Sequence, residues 1–144
     1  MADLMICVGT RPEIIKMAPI MRVLDEIEYP YILAHSGQHY DYNLSLQFIE
    51  ELGLRKPDYN LRVKETSPGR QTGRFIIGFE RIIRLEKPRL VLVEGDTNSV
   101  LGGAIAANKQ GVAVGHVEAG LRSFDLRMPE EHNSCLLYTS DAAD

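Results

Sequence analysis

Four polar clusters carry residue types that can do chemistry. The first is Gly9-Thr10-Arg11-Pro12-Glu13 with Lys16. A glycine turn ahead of a helix N-terminus offers backbone N–H groups and a positive dipole end to an anion, and Arg11 and Lys16 add charge. The same residues also read as an ordinary capped helix with solvated cations. The second is Glu94-Gly95-Asp96-Thr97-Asn98-Ser99, where Asp96 either serves a site or, with Asn98 or Ser99, caps a helix. The third is His116-Val117-Glu118-Ala119-Gly120-Leu121-Arg122-Ser123. Glu118 and Asp96 can face one crevice, and two carboxylates in a low-dielectric cleft push their pKa values apart, which suits acid and base roles. The competing reading is a local ion pair between Glu118 and Arg122. The fourth, Pro129-Glu130-Glu131, is by itself a solvated pair in a loop or at a helix start.

Other chemistries lack their signatures. Neither G-x-G-x-x-G, a P-loop nor G-x-S-x-G is present. His35 and His39 stand four apart but Gly37 lies between them, with no ligand companion at metal spacing, so no metal site is expected.

The clusters need elements to hold them. Leu4 to Val8 is a short apolar run that reads as a buried strand. Thr10 with Glu13 forms a capping box, Pro12 fits a first turn, and Ile14, Met17, Met21 and Leu24 repeat at helical spacing to about Ile27, the methionines as core. Tyr31 to Ala34 reads as a strand, Ser45 to Leu52 as a helix stopped at Gly53, and Tyr59 to Val63 as a short strand. Gln71 to Leu85 is helical up to Lys87-Pro88. Leu90 to Val93 is the clearest buried strand. A helix to about Asn108 follows, rich in glycine and alanine that let it lie close on a sheet, and then a strand from Val112 to Val117. Strand–helix alternation implies an α/β fold, a Rossmann-like doubly wound parallel sheet. Ligands in such sheets bind beyond the carboxyl ends of the strands, where the clusters fall.

Composition sets the class. The chain has 144 residues, 44% of them hydrophobic and 25% charged, with a net charge of −4. That fits one globular domain able to bury roughly two thirds of its unfolded surface. With no basic block, nucleic acid is not an expected partner. No apolar run approaches the roughly 18 residues of a membrane span, and Asp3 stands where a signal peptide carries positive charge. Two cysteines, Cys7 and Cys135, are too few for a disulfide framework. The expected location is the cytoplasm.

Taken together, Val8-Gly9-Thr10-Arg11-Pro12-Glu13 with Lys16, Ser36-Gly37-Gln38-His39, Gln71-Thr72-Gly73, Gly95-Asp96-Thr97, His116 to Arg122 and Pro129-Glu130-Glu131-His132-Asn133 resemble the non-hydrolysing UDP-N-acetylglucosamine 2-epimerases, in order and spacing, over about Leu4 to Asn133. The resemblance implies two Rossmann-like domains facing a cleft, as in B-type glycosyltransferases. It implies interconversion of UDP-N-acetylglucosamine and UDP-N-acetylmannosamine by elimination of UDP and its re-addition, with no metal or redox cofactor. A base takes the proton from carbon 2, an acid returns one to the other face, and the departing pyrophosphate needs cations. Asp96, Glu118 and Glu130 match the family's catalytic carboxylates, with base and acid unassigned. Arg11 and Lys16 match substrate contacts, and His39 and Arg122 lie in motifs near the site. A homodimer of the full-length protein and a role in polysaccharide biosynthesis are also implied. After Asn133 the family has Arg and then a helix, whereas this chain continues Ser134-Cys135-Leu136. Residues 1–133 therefore read as the N-terminal domain and 134–144 as a non-native tail. The second domain is absent, and the chain alone is expected to be inactive. The competing readings are a hydrolysing epimerase, a glycosyltransferase of the same architecture, and a non-catalytic nucleotide-sugar-binding remnant.

Overall fold

A computed structural model describes residues 2–37 and 42–139. Its strands are β1 (Leu4–Val8), β2 (Tyr31–His35), β3 (Tyr59–Asn60), β4 (Leu90–Glu94) and β5 (Ala113–Val117). Its helices are α1 (Arg11–Glu26), α2 (Tyr42–Glu51), α3 (Pro68–Glu86), α4 (Asn98–Lys109) and α5 (Pro129–Thr139). The strands form one parallel sheet in the order β3-β2-β1-β4-β5. This is the Rossmann-like arrangement that the strand–helix alternation implies. The chain leaves β1 for β2 on one side and later returns to β4 on the other, so a crevice opens between β1 and β4 at their carboxyl ends.

Side-chain alternation along β1 builds two cores. Met5 and Cys7 point to one face, where Phe75, Phe79, Val91, Val93 and Ala104 complete the cluster under α3 and α4. Leu4, Ile6 and Val8 point to the other, against Ile14, Met17 and Met21 of α1. Every residue of β1 and β2 is buried, as strands covered on both faces must be.

Several boundaries differ from the sequence reading. β3 has two residues rather than five, because Arg62 takes a left-handed φ of 50° that breaks the extended run. α3 starts three residues early, with Pro68 at the first helical position after Ser67. β4 continues one residue further, so Glu94 is the last residue of a strand and not the first of a loop. α5 runs across residue 133, and Leu137 is buried in the core.

The small residues of α4 serve two neighbours. Gly103 lies over Val93 and Cys7 of the sheet, while a Cβ at Gly102 would stand 2.6 Å from Phe75 Cβ on α3. Alanine normally favours a helix interior over glycine by about 1 kcal/mol. Overpacking a close-packed contact costs about 1–3 kcal/mol. Gly102→Ala is therefore expected to lower the free energy of unfolding by about 1 kcal/mol, read by urea denaturation. A more stable variant would show that α3 and α4 separate freely.

Candidate active site

At the switch point lies a cavity of about 250 Å³. The start of α1 gives it Thr10, Pro12, Glu13 and Lys16. The β4–α4 junction gives Glu94, Asp96 and Thr97, β5 and its exit give His116 and Glu118, and α5 gives Glu130 and Ser134. Asp96, Glu118, Glu130 and Lys16 are thus brought together from four separate segments.

The scaffold around the cavity is tightly tied. Ser36 and Ser99 share a buried hydrogen bond of 2.6 Å between their hydroxyls, joining β2 to α4 across the end of β1. A Cβ on Gly9 would fall 2.2 Å from Ser99 Oγ and 2.3 Å from Ser36 Oγ, so that crossing requires glycine. The capping box of α1 forms, with Thr10 N–H donating to Glu13 Oε2 at 2.7 Å. Thr97 Oγ1 donates to the other oxygen of Glu13 at 3.3 Å, so the cap of α1 also holds the cap of α4. Asn98 Nδ2 donates to Gln71 Oε1 at 3.0 Å, and Asn133 Nδ2 donates to Asn98 Oδ1 at 3.0 Å and to the Asp96 carbonyl at 2.8 Å. One chain of amides therefore aligns α3, α4 and α5 around Asp96.

Charge inside the cavity is arranged around Lys16. Its ammonium donates to Glu118 Oε2 at 2.6 Å and stands 3.4 Å from Glu94 Oε1. The neighbouring Glu94 carboxyl and the Lys16 ammonium lower the pKa of Glu118. Glu94, buried and facing that second carboxylate, is pushed up to about 8, chiefly by loss of water. Asp96 is raised by burial and by the charge of Glu130. Burial raises Glu13 to about 7 despite its hydrogen bonds. Glu118 also sits at a φ of 63°, a left-handed conformation that is costly for a residue with a Cβ.

Asp96 and Glu118 do line one crevice, but the carboxylates whose pKa values separate most are Glu94 and Glu118. Glu118 pairs with Lys16, not Arg122. Arg122 Nε donates to Glu131 Oε1 at 2.7 Å and its guanidinium lies 5.1 Å from the Phe124 ring, away from the cavity lining. Glu131 also accepts from Ser123 N–H at 3.0 Å and Ser123 Oγ at 3.1 Å, which together with Arg122 holds its carboxyl at about 2. Arg11 likewise stands outside the lining, over the Phe48 ring at 5.4 Å. His39 falls outside the described residues. Glu94 and Glu13 are the site residues that the sequence reading did not single out. Their signals were position: the last residue of a strand, and the third of a helix, whose side chain turns back to the strand ends. Among the described residues, no three His, Cys, Asp or Glu side chains are grouped to hold a metal ion. No described helix is long and apolar enough to cross a membrane.

A Rossmann-like sheet with a carboxylate-lined crevice at its switch point defines an α/β domain built to bind a ligand beyond its strand ends. The chain belongs to the UDP-N-acetylglucosamine 2-epimerase family, whose model matches residues 23–138. A UDP-N-acetylglucosamine 2-epimerase of Methanococcus maripaludis is 54% identical over 91% of this chain and 35% of its own length. A UDP-2,3-diacetamido-2,3-dideoxy-D-glucuronate 2-epimerase of Pseudomonas aeruginosa is 47% identical over 90% of this chain and 37% of its own. The crystal structure of the Methanocaldococcus jannaschii UDP-GlcNAc 2-epimerase in complex with UDP-GlcNAc and UDP superimposes with a TM-score of 0.89 at 48% identity, over 95% of this chain and 38% of that one. The chain thus spans little more than a third of the relatives it matches.

The buried carboxyl of Glu13 sets a pH dependence of stability. Below about 4.5 it is protonated folded and unfolded, so it contributes nothing; as pH rises toward 7 the unfolded chain releases the proton and the folded one keeps it. Stability therefore falls across that window, by about 3 kcal/mol for this group. Glu131 acts oppositely, its stabilisation being lost as pH falls from about 4.5 toward 2. Denaturation curves from pH 4.5 to 8 should show the decline, with a shallower slope in Glu13→Gln. An unchanged slope would mean Glu13 ionises like an exposed carboxylate.

Proposed function

We propose that this chain is the N-terminal domain of an epimerase that inverts carbon 2 of a UDP-2-acetamido sugar, interconverting UDP-N-acetylglucosamine and UDP-N-acetylmannosamine. The observation that carries this reading is the convergence of Asp96, Glu118 and Glu130 on one cavity around Lys16. Elimination of UDP needs a group that accepts the carbon 2 proton and another that returns one to the opposite face. Glu118, held ionised by Lys16, is equipped to accept. Asp96, raised by burial and by Glu130, is equipped to hold and return a proton. Either direction of the reaction exchanges these tasks. The N-termini of α1 and α4 flank the cavity, and their positive dipole ends, with Lys16, suit a diphosphate. Arg11 stands at the first turn of α1 and Arg122 on the neighbouring loop, as further cations for substrate or its closure. Relatives named for UDP-N-acetylglucosamine and for a diacetamido glucuronate share the 2-acetamido group, so carbon 2 is the common reacting centre. The same reading carries a cytoplasmic homodimer supplying N-acetylmannosamine units for a polysaccharide.

Residues 1–133 grafted onto the remaining two thirds of the M. maripaludis relative test this directly. The graft is expected to convert UDP-N-acetylglucosamine in D₂O into both epimers carrying deuterium at carbon 2. Asp96→Asn, Glu118→Gln and Glu130→Gln should each lower kcat by about 100-fold or more. Sugar transfer to an acceptor, or turnover without deuterium, would replace the epimerase reading.

A further inference from the structure

Glu94 is a charged side chain that the sequence gives no reason to bury, yet it is 1% exposed. Strand alternation explains its direction. Val91 and Val93 face α3 and α4, so Leu90, Leu92 and Glu94 face α1, where Lys16 waits. Parallel pairing sets Glu94 beside Val117, which delivers Glu118 to the same spot one residue later.

The charges there do not balance as drawn. Two carboxylates share one ammonium, and Lys16 is committed to Glu118 at 2.6 Å while standing 3.4 Å from Glu94 Oε1. No hydrogen bond of good geometry reaches that buried oxygen. The other titratable groups at the cavity are Glu13 from α1, Asp96 from the β4–α4 junction, His116 from β5 and Glu130 from α5. His116 Nε2 is already engaged with the Gly95 carbonyl at 2.6 Å. An ionised Glu94 would thus be a buried anion among carboxylates, with an undonated oxygen. A protonated Glu94 makes the Glu94–Lys16–Glu118 trio neutral and turns its orphaned capacity into a donor, with Glu118 as acceptor.

We propose that Glu94 is a positioning residue for Glu118: it keeps its proton at neutral pH and donates it to the Glu118 carboxylate, which is thereby aimed into the cavity and held ionised against Lys16. This rests on the reading that the cavity is the reaction site, but its test does not need turnover. The upward displacement of Glu94 and the downward one of Glu118 agree in direction with it. A hydrogen bond from a neutral acid is one that an amide can replace and an alkyl group cannot.

The test is a ¹³C carboxyl NMR titration of the 144-residue chain labelled at glutamate, with Glu118→Gln to assign the Glu118 signal. In the unsubstituted chain two glutamates, Glu13 and Glu94, should titrate well above the ordinary range, and the higher of the two should vanish in Glu94→Gln while remaining in Glu13→Gln. Glu118 should titrate below the ordinary glutamate range in the unsubstituted chain and in Glu94→Gln. In Glu94→Leu, which fills the space without a donor, the Glu118 midpoint should rise by at least half a pH unit. The proposal is overturned if Glu94 titrates among the exposed glutamates, or if a folded Glu94→Leu leaves the Glu118 midpoint where it was. Should Glu94→Leu not fold, the first two titrations alone decide. Loss of epimerisation by the graft with these titrations intact would sink the proposed function and leave the Glu94–Glu118 relation standing.

Discussion

A single buried carboxylate ties the two halves of this sheet together at the end that matters. Glu13 closes the cap of α1 through Thr10 and accepts from Thr97 at the cap of α4. Those helices follow β1 and β4, the strands on either side of the switch point. The Ser36–Ser99 hydroxyl pair, passing over Gly9, fixes β2 and α4 across the same end. The crevice between β1 and β4 is therefore braced by short polar links rather than by apolar filling, and its mouth stays open for polar side chains. Burial raises the pKa of Glu13 because desolvation outweighs the hydrogen bonds from Thr10 and Thr97, so the brace is costly when ionised.

Neighbouring residues divide between holding and facing the cavity. Glu130 lines the cavity, while Glu131 is turned toward Arg122 and Ser123. Successive residues on a helix point about 100° apart, so one Glu-Glu pair supplies a group to the cavity and a tether for the loop that leaves Glu118. Without the tether, the segment from Ala119 to Met128 would have little to hold it, since Leu121, Phe124 and Leu126 are exposed. Asn133, one turn from Glu130 and on the same side of α5, reaches the Asp96 carbonyl. α5 thus presents Glu130 and Ser134 to the cavity and uses Glu131 and Asn133 to keep the surrounding backbone in place.

What could be read from the sequence was local. The capping box, the 3.6-residue repeat of Ile14, Met17, Met21 and Leu24, and the apolar runs of β1 and β4 depend on residues a few positions apart. The parallel fold followed from their alternation. The motif resemblance located Asp96, Glu118 and Glu130, and the fold does place them around one cavity. What the sequence hid was non-local pairing. Arg122 had Glu118 four residues away and Glu131 nine away; the turn of the loop, not spacing, brought Glu131 to it. Glu94 needed the parity of β4 and its register with β5 before its burial could be seen. β3 ended early because Arg62 adopts a backbone angle that no apolar pattern announces.

Glu118 sits in a backbone conformation that glycine adopts at no cost and that any side chain makes about 1–2 kcal/mol harder. Its ion pair with Lys16, between side chains 42% and 34% exposed, returns less than that. Selection for thermal endurance alone would accordingly drift toward glycine at this position. A glutamate persisting there across generations would be a record of selection on something other than stability. In a lineage freed from that demand, this is among the first places where decay would be an improvement.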